Sequence, residues 1–235
     1  MSQALLPTTR EIREVVIEDI GRTQGAVMDC LDDGEHLMLR TVLPMVQEVL
    51  PSDQVQAGVA VLVEGPEVFV HPYIFRQVCR NGAIRSEAIQ TRRIQRVEIS
   101  APSPAIENVM ASLREAVNVC SRPSTFLDTV ARMRSATEVR ADMLLHLLPL
   151  MSHWPQDLAS RTFEQVFRRF REGRDVSVFG LMNTVTSLAR DERVPKTRWR
   201  LEELGGAVLA GVRPVPKPLS TAARARPACA SACSR

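Results

Sequence analysis

Aromatic side chains are scarce in this chain, and lysine is nearly absent. Phenylalanine, tryptophan and tyrosine make up 4% of 235 residues, and Tyr73 is the one tyrosine. Aliphatic and methionine side chains must therefore fill the core. Only Lys196 and Lys217 are lysine, so positive charge here means guanidinium, which is planar and suits bidentate phosphate contacts. Five cysteines, Cys30, Cys79, Cys120, Cys229 and Cys233, are scattered, odd in number and without a C-x-x-C pair, which argues for reduced thiols over a disulfide framework. The longest apolar run, Met143 to Met151, is too short to span a bilayer. The N-terminus has neither a basic region nor a long apolar one, so a cytoplasmic protein with no membrane partner is expected.

Motifs for chemistry are missing too. Neither a P-loop nor G-x-G-x-x-G occurs, which argues against nucleotide-driven reactions. His36, His71, His146 and His153 never fall at H-x-x-x-H or H-E-x-x-H spacing. No cofactor, metal ligand or catalytic residue is assigned, and Cys79 beside Val78 reads as an inert thiol.

What is present divides the chain. An α+β half is expected to about residue 100, a mainly helical half from 101 to 212, and a disordered basic tail from 213 to 235. That tail carries five positive charges and no acid; taking them from the net +3 leaves the remainder at −2. In the first half, Glu14 to Glu18 reads as a short strand. Asp32 to Glu35 reads as the acidic start of a helical segment running to Leu50, in which Pro44 either kinks the helix or starts a second one. Val55 to Val63 is the best strand, returning through a Glu64–Glu67 turn as Val68 to Pro72 to make a hairpin. Tyr73 to Arg80 reads as a short helix or loop stopped by Asn81-Gly82, and Glu87 to Ser100 leans to strand.

Helical spacing dominates the second half. Ser103-Pro104 and Pro123-Ser124 open helices, and Ala141 to Leu150 reads as a buried helix. Apolar stripes follow at Phe163/Val166/Phe167/Phe170, Phe179/Met182/Val185/Leu188 and Leu201/Leu204/Val208. Gly205-Gly206 either allows close approach or ends the last helix early.

Gly58-Val59-Ala60-Val61, followed by Tyr73-Ile74-Phe75-Arg76-Gln77-Val78-Cys79-Arg80-Asn81-Gly82, resembles the phage/plasmid-like protein family, domain of unknown function 932. A second match runs through Phe179 to Thr186, Ala189-Arg190-Asp191 and Trp199 to Gly206, so the resemblance spans about residues 20–210. The family has no established activity, and its members sit in phages, plasmids and genomic islands. The resemblance implies a mobile-element setting and, by association, DNA metabolism. The chain departs from the family pattern at Ala26 to Cys30, where only Asp29 of a Ser-Asp-x-Tyr-like stretch remains, and in its cysteine-containing tail.

Six arginines, Arg76, Arg80, Arg85, Arg92, Arg93 and Arg96, face Glu87 alone over residues 76–96, a local charge of +5. Basic groups bind phosphates and aromatic faces stack on unpaired bases. The expected function is therefore non-enzymatic single-stranded DNA binding, with Arg76, Arg80, Arg92, Arg93 and Arg96 on phosphates and Tyr73 stacking a base. Two alternatives stand beside it: a protein–protein assembly module, with a homo-oligomer built on the apolar helices, and a metal-dependent enzyme acting on nucleic acid through carboxylates such as Asp29.

Overall fold

A computed structural model describes residues 7–95 and 104–213. It is an α+β fold: an antiparallel sheet in the first half, then helices. Arg96, Ser103 and the tail beyond Arg213 lie outside the described residues.

Helix α1, Thr9–Arg22, replaces the strand expected at Glu14 to Glu18. Thr8 and Glu11 form a reciprocal capping box, and Ile12, Val16 and Ile20 are buried at a spacing of four. That helical period outweighs the β-branched run within it. Strands β1, Ala26–Asp32, and β2, Leu37–Leu50, replace the expected kinked helix. The acids that read as a helix start instead build a turn. Asp33 Oδ1 accepts from the backbone N–H of Glu35 at 3.0 Å and of His36 at 2.7 Å, and Gly34 takes φ +89°. Pro44 sits where the β2 register shifts, between Val42 and Val46, a place that tolerates a residue without an N–H. Because β2 is covered on both faces near Leu37–Thr41, it lacks the alternation that would have marked it as a strand.

The expected hairpin is present as β3, Asp53–Glu64, and β4, Glu67–Arg76, joined at Gly65. Strand β4 continues through Tyr73 to Arg76, where a helix or loop was expected. The Asn81-Gly82 pair is not a helix stop; it opens β5, Asn81–Ile84, and the positive φ of 51° falls on Arg80. Strand β6 is Arg92–Gln95. The sheet runs β1-β2-β3-β4-β5, with β6 also on β4.

Gly82 has a steric role: a Cβ there would lie 2.0 Å from Tyr73 Oη. Gly58, opposite Tyr73 in the ladder, would place a Cβ 2.9 Å from Tyr73 Cδ1 and 2.0 Å from the Thr41 carbonyl oxygen. The two glycines thus form a slot that seats the one tyrosine of the chain.

The helices are α2, Pro104–Cys120; α3, Pro123–Thr137; α4, Met143–His146; α5, Gln156–Glu172; α6, Val178–Asp191; and α7, Pro195–Val208, with a 3-10 turn at Leu148–Met151. The helix expected over Ala141 to Leu150 is reduced to Met143–His146, capped at Leu147 and followed by the 3-10 turn that holds Pro149, and Leu144 and Leu145 are 62% and 73% exposed. The main core lies on one sheet face, where Leu37, Leu39, Val59, Val61 and Val70 join α1 to α3 through Val16, Leu113 and Val130.

The opposite face is covered by α7. There Met38, Ala60, Tyr73 and Ile84 pack with Trp199 in a second, smaller apolar cluster. Gly205 and Gly206 serve the close approach rather than an early stop. A Cβ at Gly206 would fall 1.9 Å from the Ile84 carbonyl oxygen of β5, and one at Gly205 would fall 2.4 Å from Thr186 Cγ2 of α6. Helix α7 is therefore wedged between β5 and α6. No helix among the described residues is long and apolar enough to cross a membrane.

Candidate ligand-binding cleft

The expected DNA-contacting residues do not converge. Tyr73 is 2% exposed, held in its glycine slot, and burial pushes its phenol pKa far up; it has no face free to stack a base. Arg76 is spent on Asp53, with Nε and Nη2 each donating at 2.6 Å, and its guanidinium lies over the Phe179 ring. Arg93 pairs with Glu67 and covers Phe69. Arg92 donates to the carbonyl oxygens of Ile89 and Thr91, 2.7 and 3.0 Å away. Arg85 is buried, bonded to Glu87 and Thr129.

Arg80 is exposed in the turn before β5. Arg93 pairs opposite Phe69 and Arg76 opposite Val55, so seven residues of β4 separate the two, roughly 24 Å along the strand. Cys79 is half-buried and receives a hydrogen bond from Arg76 Nη1 at 3.0 Å. Among the described residues no three His, Cys, Asp or Glu side chains are grouped to hold a metal ion. Asp29 is instead ion-paired with Arg40 and Arg198 at 3.1 and 3.2 Å.

The residues that sequence reasoning missed are on α7. Trp199, Glu202, Glu203 and Gly206 recur at i, i+3, i+4 and i+7, which places them on one helical face, toward the sheet. Leu201, Leu204 and Val208 face the main core instead. The two faces interleave, so the signal lay in the sequence: two adjacent acids between apolar positions of one helix, three and four residues after a tryptophan.

Glu202 is buried and accepts from Arg40 Nε at 2.5 Å and Arg198 Nε at 3.2 Å. Arg40 is itself buried beneath the Trp199 ring, its guanidinium carbon 4.9 Å from the centroid. With Asp29 these four groups neutralise one another and tie β1 and β2 to α7. Arg40 Nη2 has no hydrogen-bond partner among the described residues.

Glu203 occupies a different setting. It borders two cavities that Arg200 also lines. One, of about 280 Å³, opens between the sheet and the start of α7 and is walled by Leu31, Met38, Leu62, Val194 and Trp199. The other, of about 450 Å³, reaches toward His153 and Trp154. Burial pushes the Glu203 carboxyl up to about 7, against the opposing pull of Trp199 and Arg200. His71 Nε2 of β4 lies 3.9 Å from Glu203 Oε1. Burial holds the His71 imidazole down to about 4, so it is neutral at physiological pH.

Its tautomer follows from its partners. Thr91 Oγ1 donates to the Arg85 carbonyl oxygen at 2.9 Å, so the same oxygen accepts from His71 Nδ1–H at 3.2 Å. Nε2 then carries a lone pair facing Glu203, which disfavours the ionised carboxylate. The His71 ring also stacks on Phe69 and tilts against Trp199.

No protein-family model, curated protein or solved structure matches the chain.

Proposed function

We propose that the protein binds a small, largely apolar molecule in the cleft between α7 and the second face of the sheet. One observation carries this reading. A part-buried carboxyl, pushed up to about 7, lines an apolar-walled cavity together with Arg200, which acts on it electrostatically. Apolar walls with a few convergent polar groups and a perturbed titratable group are the usual composition of a ligand site. At about 280 Å³ the cavity suits a small molecule rather than a polymer. The single-stranded DNA reading retains less support. Of its named residues, Tyr73 is enclosed and Arg76 and Arg93 are neutralised by acids.

The test is a fragment screen by ligand-observed NMR on the intact chain and on Leu62→Trp, which fills the cleft from the sheet side. The proposal expects fragments that bind the native protein and lose binding in the variant, with the circular dichroism spectrum unchanged. If no fragment binds, or if hits bind the filled variant equally well, the proposal is refuted.

A further inference from the structure

We infer that the two cavities beside α7 form one trough, and that its occupant is an elongated neutral molecule: two apolar groups joined by a hydrogen-bonding link such as an amide. The inference rests on the cleft being a binding site and adds the length and chemical class of what it takes.

The trough follows from where the lining falls on α7. Lys196, Trp199, Arg200 and Glu203 border the first cavity, and Arg200, Glu203, Leu204 and Ala207 border the second. Lys196, Arg200, Glu203 and Ala207 recur at i, i+4, i+7 and i+11, so they form one stripe along the helix. The cavities are therefore consecutive along a single flank of α7 and meet at Arg200 and Glu203. The steps from Pro195 to Ala207, at about 1.5 Å each, make the trough roughly 18 Å long. The sheet beneath agrees. The first cavity lies over Leu31, Met38 and Leu62 of β1 to β3, and the second adjoins Ser86, just past β5. Because β1 and β5 end the strand order, α7 crosses the sheet and the trough follows it from one edge toward the other.

Each end of the trough is apolar and the middle is not. Leu31, Val194 and Trp199 wall the first compartment, and Pro149, Leu150 and Trp154 wall the second. Arg200 and Glu203 stand half-buried at the junction. The guanidinium donates hydrogen bonds; the carboxyl accepts them when ionised and donates one when protonated. A link that carries both a carbonyl and an N–H satisfies either state. The charges of the lining argue for a neutral molecule. Glu64 is paired with Lys196, Asp33 lies 3.2 Å from His36 Nδ1, and Arg200 acts on Glu203. Each acid faces a base, so a charged ligand would lose its hydration without an unclaimed counter-charge to replace it.

The experiment titrates the intact chain with N-benzyl phenylacetamide, which has two rings, and N-methyl phenylacetamide, which keeps one. Trp199 lines one compartment and Trp154 the other, and they are the two tryptophans of the chain, so their indole ¹H–¹⁵N resonances report each end separately. The two-ring amide should move both resonances along one binding curve and bind about tenfold more tightly than the one-ring amide. Ala207→Phe fills the second compartment and should abolish that advantage while leaving one-ring binding at Trp199 unchanged. Ser86→Phe narrows the same compartment from the opposite wall and should act alike. Dibenzylamine, cationic at neutral pH, should bind less tightly than the two-ring amide.

Equal affinity of the two amides, a two-ring amide that moves one indole alone, an advantage that survives both filling substitutions, or tighter binding by dibenzylamine would overturn the inference and leave the cleft as a binding site. Failure of all three probes to move Trp199, together with an empty fragment screen, would remove both.

Discussion

Glu203 and His71 oppose each other in the pH dependence of stability, and separating them tests the site without any ligand. Glu203 is raised from 4.5 to about 7 in the fold. The folded state therefore holds its proton more tightly than the unfolded chain does. Stability from this group is complete below pH 4.5 and is lost as pH rises to 7. His71 is lowered from 6.5 to about 4. Its contribution is complete above pH 6.5 and is lost as pH falls to 4. At roughly 1.4 kcal/mol per pH unit, each window amounts to at most about 3 kcal/mol. The Glu203 figure is the smaller, because its side chain is 30% exposed and screened by solvent.

Between pH 4.5 and 6.5 the two slopes run in opposite directions and largely cancel in the native protein. Glu203→Gln leaves only the His71 slope, so its stability relative to wild type should climb with pH across that window. His71→Gln leaves only the Glu203 slope, so its stability relative to wild type should fall from pH 4 to 6.5 and stay level above that. Urea denaturation at half-unit pH steps and constant ionic strength reads both slopes, since every other titrating group is common to the three proteins. Three parallel curves would refute the placement of these two groups.

Other expectations concern how α7 is seated. Gly206→Ala forces a methyl to 1.9 Å from the Ile84 carbonyl oxygen, so it should cost about 1–3 kcal/mol despite alanine's better helix propensity. Gly21→Ala, with nothing within 4 Å, should instead gain about 0.5–1 kcal/mol; urea midpoints compare the two. Glu202→Ala leaves Arg40 buried without its 2.5 Å partner and should cost about 3–5 kcal/mol, whereas Arg40→Met combined with Glu202→Leu should recover most of that loss in thermal denaturation.

The α+β division, the β3–β4 hairpin and the stripes of α6 and α7 were legible in the sequence, because each has a clear period or a turn signal. The β1–β2 pair was not. Its second strand is covered on both faces around Leu37–Thr41 and carries Pro44, so its pattern imitates a kinked helix. The aromatic-Arg-x-Val-Cys-x-Asn-Gly stretch was conspicuous, but the structure uses it for packing. Its tyrosine needs two glycines for room, and its first arginine needs Asp53, which lies 23 residues earlier in the chain. Charge counted along the chain could not show that these guanidiniums were already paired. The cleft was hidden for a related reason. Glu203 matters only because β4 brings His71 beneath it, 132 residues away in the chain, and no local spacing encodes that meeting.

Helix α7 lies on the second sheet face, with Trp199 against His71 and Met38. Nuclear Overhauser contacts from the Trp199 ring test it most directly, with Trp154 as the other tryptophan for comparison. The structure predicts cross-peaks from the Trp199 ring to the Met38 methyl and the His71 ring, 6.4 Å between ring centroids. A Trp199 ring with no contact to either strand would contradict the account at its base.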